Sequence, residues 1–574
     1  MIRTIRCLAL ATGLALVQTA SLQAGPDETT ELLRRLPGNM SACLVIEDLS
    51  PALDRLTTSP VFAEWTEQPI IQRWVQSPSY RTFQGVLAFL PIYFGVDNRS
   101  LLNDFIGSSV VMTFRPKSAD SPAVGIIACR ATKIETLDRI MTSLCRPLPD
   151  RQIDRHEYRG HEFFERREFG NRHDCILRLG SSLFVSDKKS AIEQIIDTQE
   201  SSAKSLFDTE KFRIMREKIK PGAVVSLLID PNAFEPLVAQ GVESTQGAAR
   251  PIAQHVAQLW KHLSWVAVTL HAQDDLSLAI DAEIDPTEIA SAEARLLEAW
   301  TKRSLFWDRV PADALLAASS EIDFVAAMQI IGEISHAEPS LSGLVDACSA
   351  LSAGFDAKTE ILPSLGPEVG LVLRADKDGS LLGVLDMPLR PNGRRGPMGL
   401  TLAQSLEMLV FRPLLIFYAS DHNQRLGDQA RIETQEIDQD RLHLMTGSIW
   451  LPEGFQPGFS VNESRILITT SPKAYSQWNA GSEQTWPSSP AARRQQRTMG
   501  DSEVIKAYLN FNELSFFLRR MTEEQSSKEY HSKITDLVSV LSPFDFATLS
   551  ASRTENHWRT TLTLFPKMNN LAEK

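Results

Sequence analysis

Six cysteines in 574 residues are too few for a disulfide framework. One of them, Cys7, falls in the N-terminal apolar run, which leaves Cys43, Cys129, Cys145, Cys175 and Cys348. That odd set keeps at least one thiol unpaired, and Cys43 and Cys129, inside apolar stretches, read as small core residues. Positive charge is also short, with 59 Lys and Arg against 71 Asp and Glu and a formal net charge of −12. This balance makes the chain a poor candidate for polyanion binding, so no nucleic-acid partner is expected. Gly-x-Ser-x-Gly, His-Glu-x-x-His, Cys-x-x-Cys and Gly-x-Gly-x-x-Gly do not occur, which removes the usual hydrolase, metalloprotease, redox and dinucleotide signatures. Long apolar runs are missing beyond the N-terminus. Val86–Leu90 is expected to stop at Pro91 and Met408–Phe411 at Arg412-Pro413, short of the roughly 20 residues a bilayer demands.

What is present begins with an export leader. Arg3 and Arg6 precede the apolar stretch Cys7–Val17, and small residues follow to Ala24. Charged, apolar and small-residue regions in that order predict a signal peptide over residues 1–24, export to the periplasm or cell envelope, and no transmembrane helix after it. The remainder reads twice. Arg35–Ala52 lies without a gap over Arg309–Ala326. Four further segments recur in the same order. Ile106–Phe114 with Val124–Ala128 matches Leu365–Leu373 with Leu382–Leu385, Leu183–Ser186 matches Ile466–Thr469, Val225–Asp230 matches Ile505–Asn510, and Thr269–Ala272 matches Thr548–Ala551. Ordered recurrence of this kind predicts a tandem duplication, with repeats over residues 25–308 and 309–574.

Each copy reads as an α+β unit of antiparallel sheet, β-hairpins and amphipathic helices. Leu276, Leu278, Ile280, Ala282 and Ile284 alternate with Ser277, Ala279, Asp281 and Glu283, which predicts a strand with its apolar face inward in a sheet with one helix-free side. Ile134, Leu137, Ile140, Met141 and Leu144 have helical spacing.

The densest titratable cluster runs from Asp154 to Cys175 and includes His156, His161, Glu165, Arg166, Arg167, Glu168 and His173. Zinc accepts such ligands. On an unbroken strand, however, His156 and His161 point to opposite faces, so the cluster reads as a solvated hairpin with cross-strand charge pairs, and no metal or cofactor is expected. Because the corresponding stretch of the second copy, Gln429–Gly458, has a single His, the surface at Arg166, Arg167 and Glu168 is the expected place for a partner. Ser186-Asp187-Lys188-Lys189 has the spacing of a Ser-x-x-Lys nucleophile but reads as a helix cap. The loop Pro391–Gly399 has glycines and arginines suited to phosphate but lacks the P-loop lysine, and reads as a connector.

Leu36-Pro37, Ser59-Pro60-Val61-Phe62, Leu102–Gly107, Tyr158-Arg159-Gly160 and Leu365–Gly370 together resemble a bacterial family of exported proteins classed as a domain of unknown function. The resemblance implies export, an α+β fold and a repeat, and carries no catalytic or binding residues. The function expected is a non-enzymatic envelope or periplasmic binding or organising protein, with an envelope protein or lipid as partner. Two alternatives are a lipid or lipoprotein carrier with an apolar cavity and a hydrolase with a site between the halves.

Overall fold

The computed structural model describes residues 26–567 apart from 48–50, 52–53, 55–56, 59, 107–108, 119–120, 149–150, 169–171, 248, 273–274, 338–354, 391–392, 397–398, 501 and 525–527. The predicted signal peptide and Cys348 lie outside the described residues. The chain is α+β and forms two compact units. The first comprises residues 1–238, 263–283 and 565–574, the second residues 239–262 and 284–564.

In the first unit the strands are Ala42–Glu47 (β1), Ser109–Arg115 (β2), Val124–Arg130 (β3), Arg151–Tyr158 (β4) and His161–Glu168 (β5). Arg172–Leu179 (β6), Ser182–Ser186 (β7), Val225–Ile229 (β8), Leu263–Ala272 (β9) and Leu276–Ile284 (β10) follow. They lie in the order β10-β9-β8-β1-β2-β3-β7-β6-β5-β4. One face packs Val45, Val111, Ile126 and Phe184 against Leu32, Leu33 and Leu36 of the helical N-terminal segment and Ile192, Ile195 and Ile196 of the helix Lys189–Gln199. The other packs Val110, Cys129, Ile176 and Leu183 against Leu137 and Ile140 of the helix Ile134–Leu144. Both faces of the central strands are therefore covered, and the expected helix-free side is absent there.

The second unit contains Leu316–Glu321 (β11), Glu368–Ala375 (β12), Leu381–Pro388 (β13), Arg431–Ile437 (β14) and Asp440–Thr446 (β15). Gly458–Asn462 (β16), Arg465–Thr469 (β17), Val504–Asn510 (β18), Phe544–Thr554 (β19) and His557–Pro566 (β20) complete it. Their order, β20-β19-β18-β11-β12-β13-β17-β16-β15-β14, repeats that of the first unit. The registers correspond as well. Ala42 faces Phe114 and Ile229, while Leu316 faces Leu373 and Leu509; Phe114 faces Gly125, while Leu373 faces Gly383; Ile126 faces Ser186, while Val384 faces Thr469. The Ser186 hydroxyl donates to Gly125 O at 2.8 Å, and Thr469 to Gly383 O at 3.3 Å. Only β18–β19 departs, through an irregularity between Ile505 and Ala507.

Three local expectations are corrected. Pro91 lies inside the helix Pro78–Phe94, and helical structure continues from Leu402 to Leu426 through Pro413. A π-helical turn at Leu406–Phe411 precedes Pro413, which takes the first turn of the helix Arg412–Leu426, so its missing N–H falls where the hydrogen-bond ladder is already re-spaced. On β10 the face carrying Ser277, Ala279 and Asp281 is the buried one, and Leu278 and Ile280 are exposed. Alternation separates two faces without saying which points inward. Finally, Ser186 does not cap a helix. Lys188 holds the cap position of the first unit with no side-chain bond, whereas in the second unit Ser471 accepts from Ala474 N at 3.1 Å.

Candidate functional site

The predicted charged hairpin turns at Arg159-Gly160, both with positive φ (49° and 80°), as the two-residue turn between right-twisted strands requires. This turn overturns the expected placement of the histidines. Because Tyr158 pairs with His161 and His156 with Phe163, all four side chains share one face. They still do not converge. His156 Nε2 lies 3.0 Å from Glu165 Oε2, and His161 Nε2 lies 2.9 Å from Glu200 Oε1. Arg167 donates to Glu165 at 3.1 Å and holds its carboxyl below the usual range, although burial opposes this. Arg166 Nη2 is 2.6 Å from Asp174 Oδ2, while the side chain of Glu168 lies outside the described residues. Burial pushes the Cys175 thiol up to about 11, which keeps it protonated and unreactive at neutral pH. Among the described residues no group of three His, Cys, Asp or Glu side chains is placed to hold a metal ion. What the hairpin offers is a charge-paired surface.

A second arrangement, in the second unit, is invisible to motif matching. Lys506 on β18 stands opposite Ser319 on β11 in the continuing register of that pair, and Ser319 is directly opposite Gly370 on β12, which in turn faces Asp386 on β13. The same positions of the first unit hold Ser226, Val45, Val111 and Ala128. Lys506, Ser319 and Ser304 are 2%, 4% and 2% exposed. Lys506 Nζ donates to Lys302 O at 2.9 Å, and its burial pushes the ammonium down to about 8 against the pull of Glu321 and Glu368. Ser319 donates to Ser304 at 2.6 Å, Ser304 to the Glu368 carboxylate, and Phe306 N to the same carboxylate at 2.7 Å. Burial raises the Glu368 carboxyl above its ordinary value. Phe306 lies flat over Gly370, where any Cβ would stand 2.0 Å from the ring.

The second unit also has a cleft of about 420 Å³, which Lys506 itself does not line. Lys302 and Glu321 line it, so the residues that hold the buried ammonium also form the cleft wall. Leu362, Pro363, Leu365 and Pro367 form an apolar side. Arg295 lies 3.5 Å from Asp323, which caps the helix Phe324–Ala337 through Ala326 N at 2.8 Å, and Lys302 lies 3.1 Å from Glu298. Arg390 also lines the cleft and forms no ion pair with any described residue. The cleft is an open, largely charged one, six of its fourteen lining residues being ionisable, with one apolar side. No protein family, curated protein or solved structure matches this chain.

Two further buried polar clusters of the second unit are internally paired. His443, on β15, meets Glu407 at 2.8 Å through Nε2 and Thr434 at 2.9 Å through Nδ1, and Arg441 adds a second cation to Glu407 at 2.8 Å. His422 meets Asp428 at 2.7 Å and Ser448 at 3.1 Å through the same Nε2, and Ser448 also donates to Asp428, so the ring does not stand between nucleophile and acid as a relay requires. In the Pro391–Gly399 loop Arg394 pairs with Glu360, and the helix that follows is capped by Thr401 and Gln404. Residues 391–392 and 397–398 of that loop lie outside the described residues. The one sequence signal for the cleft was a lysine at an inward position of Val-Ile-Lys-Ala-Tyr-Leu-Asn, where the first copy has Ser226.

Proposed function

We propose that this chain is an exported, non-enzymatic binding protein of the cell envelope, built from two copies of one α+β unit, with its ligand site in the cleft of the second unit. The single observation that carries the reading is the cleft itself, with its apolar side and an Arg390 that no carboxylate of the described residues neutralises. A ligand with an apolar body and an anionic group meets both features. The common strand order and the corresponding registers support the duplication. Binding is favoured over hydrolysis because the Ser319 hydroxyl is buried and donates to Ser304, while Lys506 donates to a backbone carbonyl, so neither is free to activate the other.

Native mass spectrometry of the chain purified from its own organism tests this. A bound species is expected on the wild type and lost from Arg390→Glu, with circular dichroism unchanged. Identical spectra of the bare chain for wild type and variant would refute the reading.

A further inference from the structure

The second unit exposes an apolar helix that its own core does not use. Leu402, Ala403 and Leu406 pack beside Phe459 and Ile466, and farther along Leu415 and Ala419 pack beside Met445. Between these anchors and beyond them, Leu414, Ile416, Phe417 and Tyr418 are 49%, 50%, 71% and 53% exposed. At 3.6 residues per turn they span roughly 200° of the circumference. A surface helix ordinarily gives its apolar stripe to the core and a polar face to water; here the turns around Phe417 are apolar on both sides. Ile449 and Trp450, 81% and 59% exposed, add apolar surface at the helix end, where Trp450 Nε1 donates to Leu426 O at 3.1 Å and fastens their loop.

We propose that this face docks on the surface of a phospholipid bilayer. A groove in a protein covers a stripe, whereas an apolar arc this wide is satisfied by immersion, and a helix lying in the interface sinks its apolar side roughly 5–10 Å into the headgroup boundary. Tyr418 and Trp450 are the side chains favoured at that depth. Charge agrees: the exposed Arg412 and Arg425 flank the apolar stretch, roughly 20 Å apart at 1.5 Å per residue. The carboxylates nearest them in sequence are withdrawn, since Glu407 is buried against His443 and Arg441, Asp428 is buried, and Asp421 pairs with Arg425. That pair also neutralises Arg425, which leaves Arg412, in no ion pair with any described residue, as the cation available to lipid phosphates. The run Leu402–Leu426 is long and apolar enough to cross a membrane, but its packing against Phe459, Ile466 and Met445 and its ion pairs to β15 hold it on the unit as a docking face.

The test is flotation of the purified full chain with vesicles of phosphatidylethanolamine and phosphatidylglycerol, with Trp450 depth read by brominated-lipid quenching. The wild type is expected to float. The double variant Phe417→Glu, Ile449→Glu should lower the partition constant about a hundredfold, since each side chain contributes about tenfold when withdrawn from water. Trp450→Phe should lose the quenching while still floating. A wild type that stays at the bottom of the gradient overturns the proposal. So does a solution dimer that the double variant dissociates, which would make the face a contact between copies.

Discussion

Replacing Gly370 by valine gives the second unit the residue that the first unit carries at the corresponding place, Val111. It should nevertheless be strongly destabilising. A Cβ on residue 370 would lie 2.0 Å from Phe306 Cδ2 and 2.2 Å from Cε2, so the ring must move by well over an ångström. It cannot move freely: Phe306 is 5% exposed, its ring sits 5.3 Å from that of Trp478, and its backbone N–H is bound to Glu368. Overpacking of this severity costs about 3 kcal/mol. For a unit of this size that is a fall in melting temperature of roughly 6 °C or more. Phe306 aligns with the buried Leu32, so Phe306→Leu restores the pairing of the first unit. Alone, it should cost about 1 kcal/mol for the lost ring. Combined with Gly370→Val, it should recover most of the deficit, a coupling of about 2 kcal/mol in a double-mutant cycle followed by thermal unfolding. A Gly370→Val variant within 0.5 kcal/mol of wild type, or a double variant as unstable as the two singles added, would refute the reasoning.

The ammonium of Lys506, pushed down to about 8 in the folded chain from an ordinary 10.5, releases its proton first in the folded state. The unfolded state then binds more protons between pH 8 and 10.5, so this group makes stability rise with pH across that window, and Lys506→Met should remove that slope from urea titrations. A slope unchanged by the variant would place the ammonium in water. Burial raises all four described thiols, Cys129 to about 12 and Cys145 and Cys175 to about 11, with Cys43 higher still. Native iodoacetamide labelling at pH 8 should therefore be slow, Cys145 reacting first as the least buried, and prompt stoichiometric labelling of Cys175 would contradict the packing. Neutralising Arg166, Arg167 and Glu168 together removes exposed or part-exposed ion pairs that contribute little to stability, so the fold should survive while envelope proteins captured by the chain diminish. An unchanged captured set, or loss of the circular dichroism spectrum, tells against a partner surface there.

Pairing was the most legible feature of the sequence, because strands obey period two and the recurring segments carried their partners with them: Leu183–Ser186 and Ile466–Thr469 each lie against the strand aligned with the other's neighbour. Helix ends were less legible. Pro413 signals a stop only while the ladder before it is regular, and the π-helical turn at Leu406–Phe411 carries Glu407, whose partner His443 is distant in sequence. The inward face of β10 and the cleft failed for a related reason. Asp281 and Lys506 are polar residues at buried positions, and what makes burial tolerable, a carbonyl such as Lys302 O or a carboxylate such as Glu368, is contributed from elsewhere in the chain.

Among the described residues the strands β4 and β14 have one strand register each, with β5 and β15. Their sequences, Arg-Gln-Ile-Asp-Arg-His-Glu-Tyr and Arg-Ile-Glu-Thr-Gln-Glu-Ile, place a charge at nearly every second residue. An open row of backbone donors and acceptors would otherwise template a foreign strand, and alternating charge makes that approach unfavourable. The same residues that give the hairpins their polarity thus keep the protein from polymerising edge to edge when it is crowded, and threonine or valine in place of Asp154, Arg155 and Glu157 would turn β4 into a nucleus for fibrils.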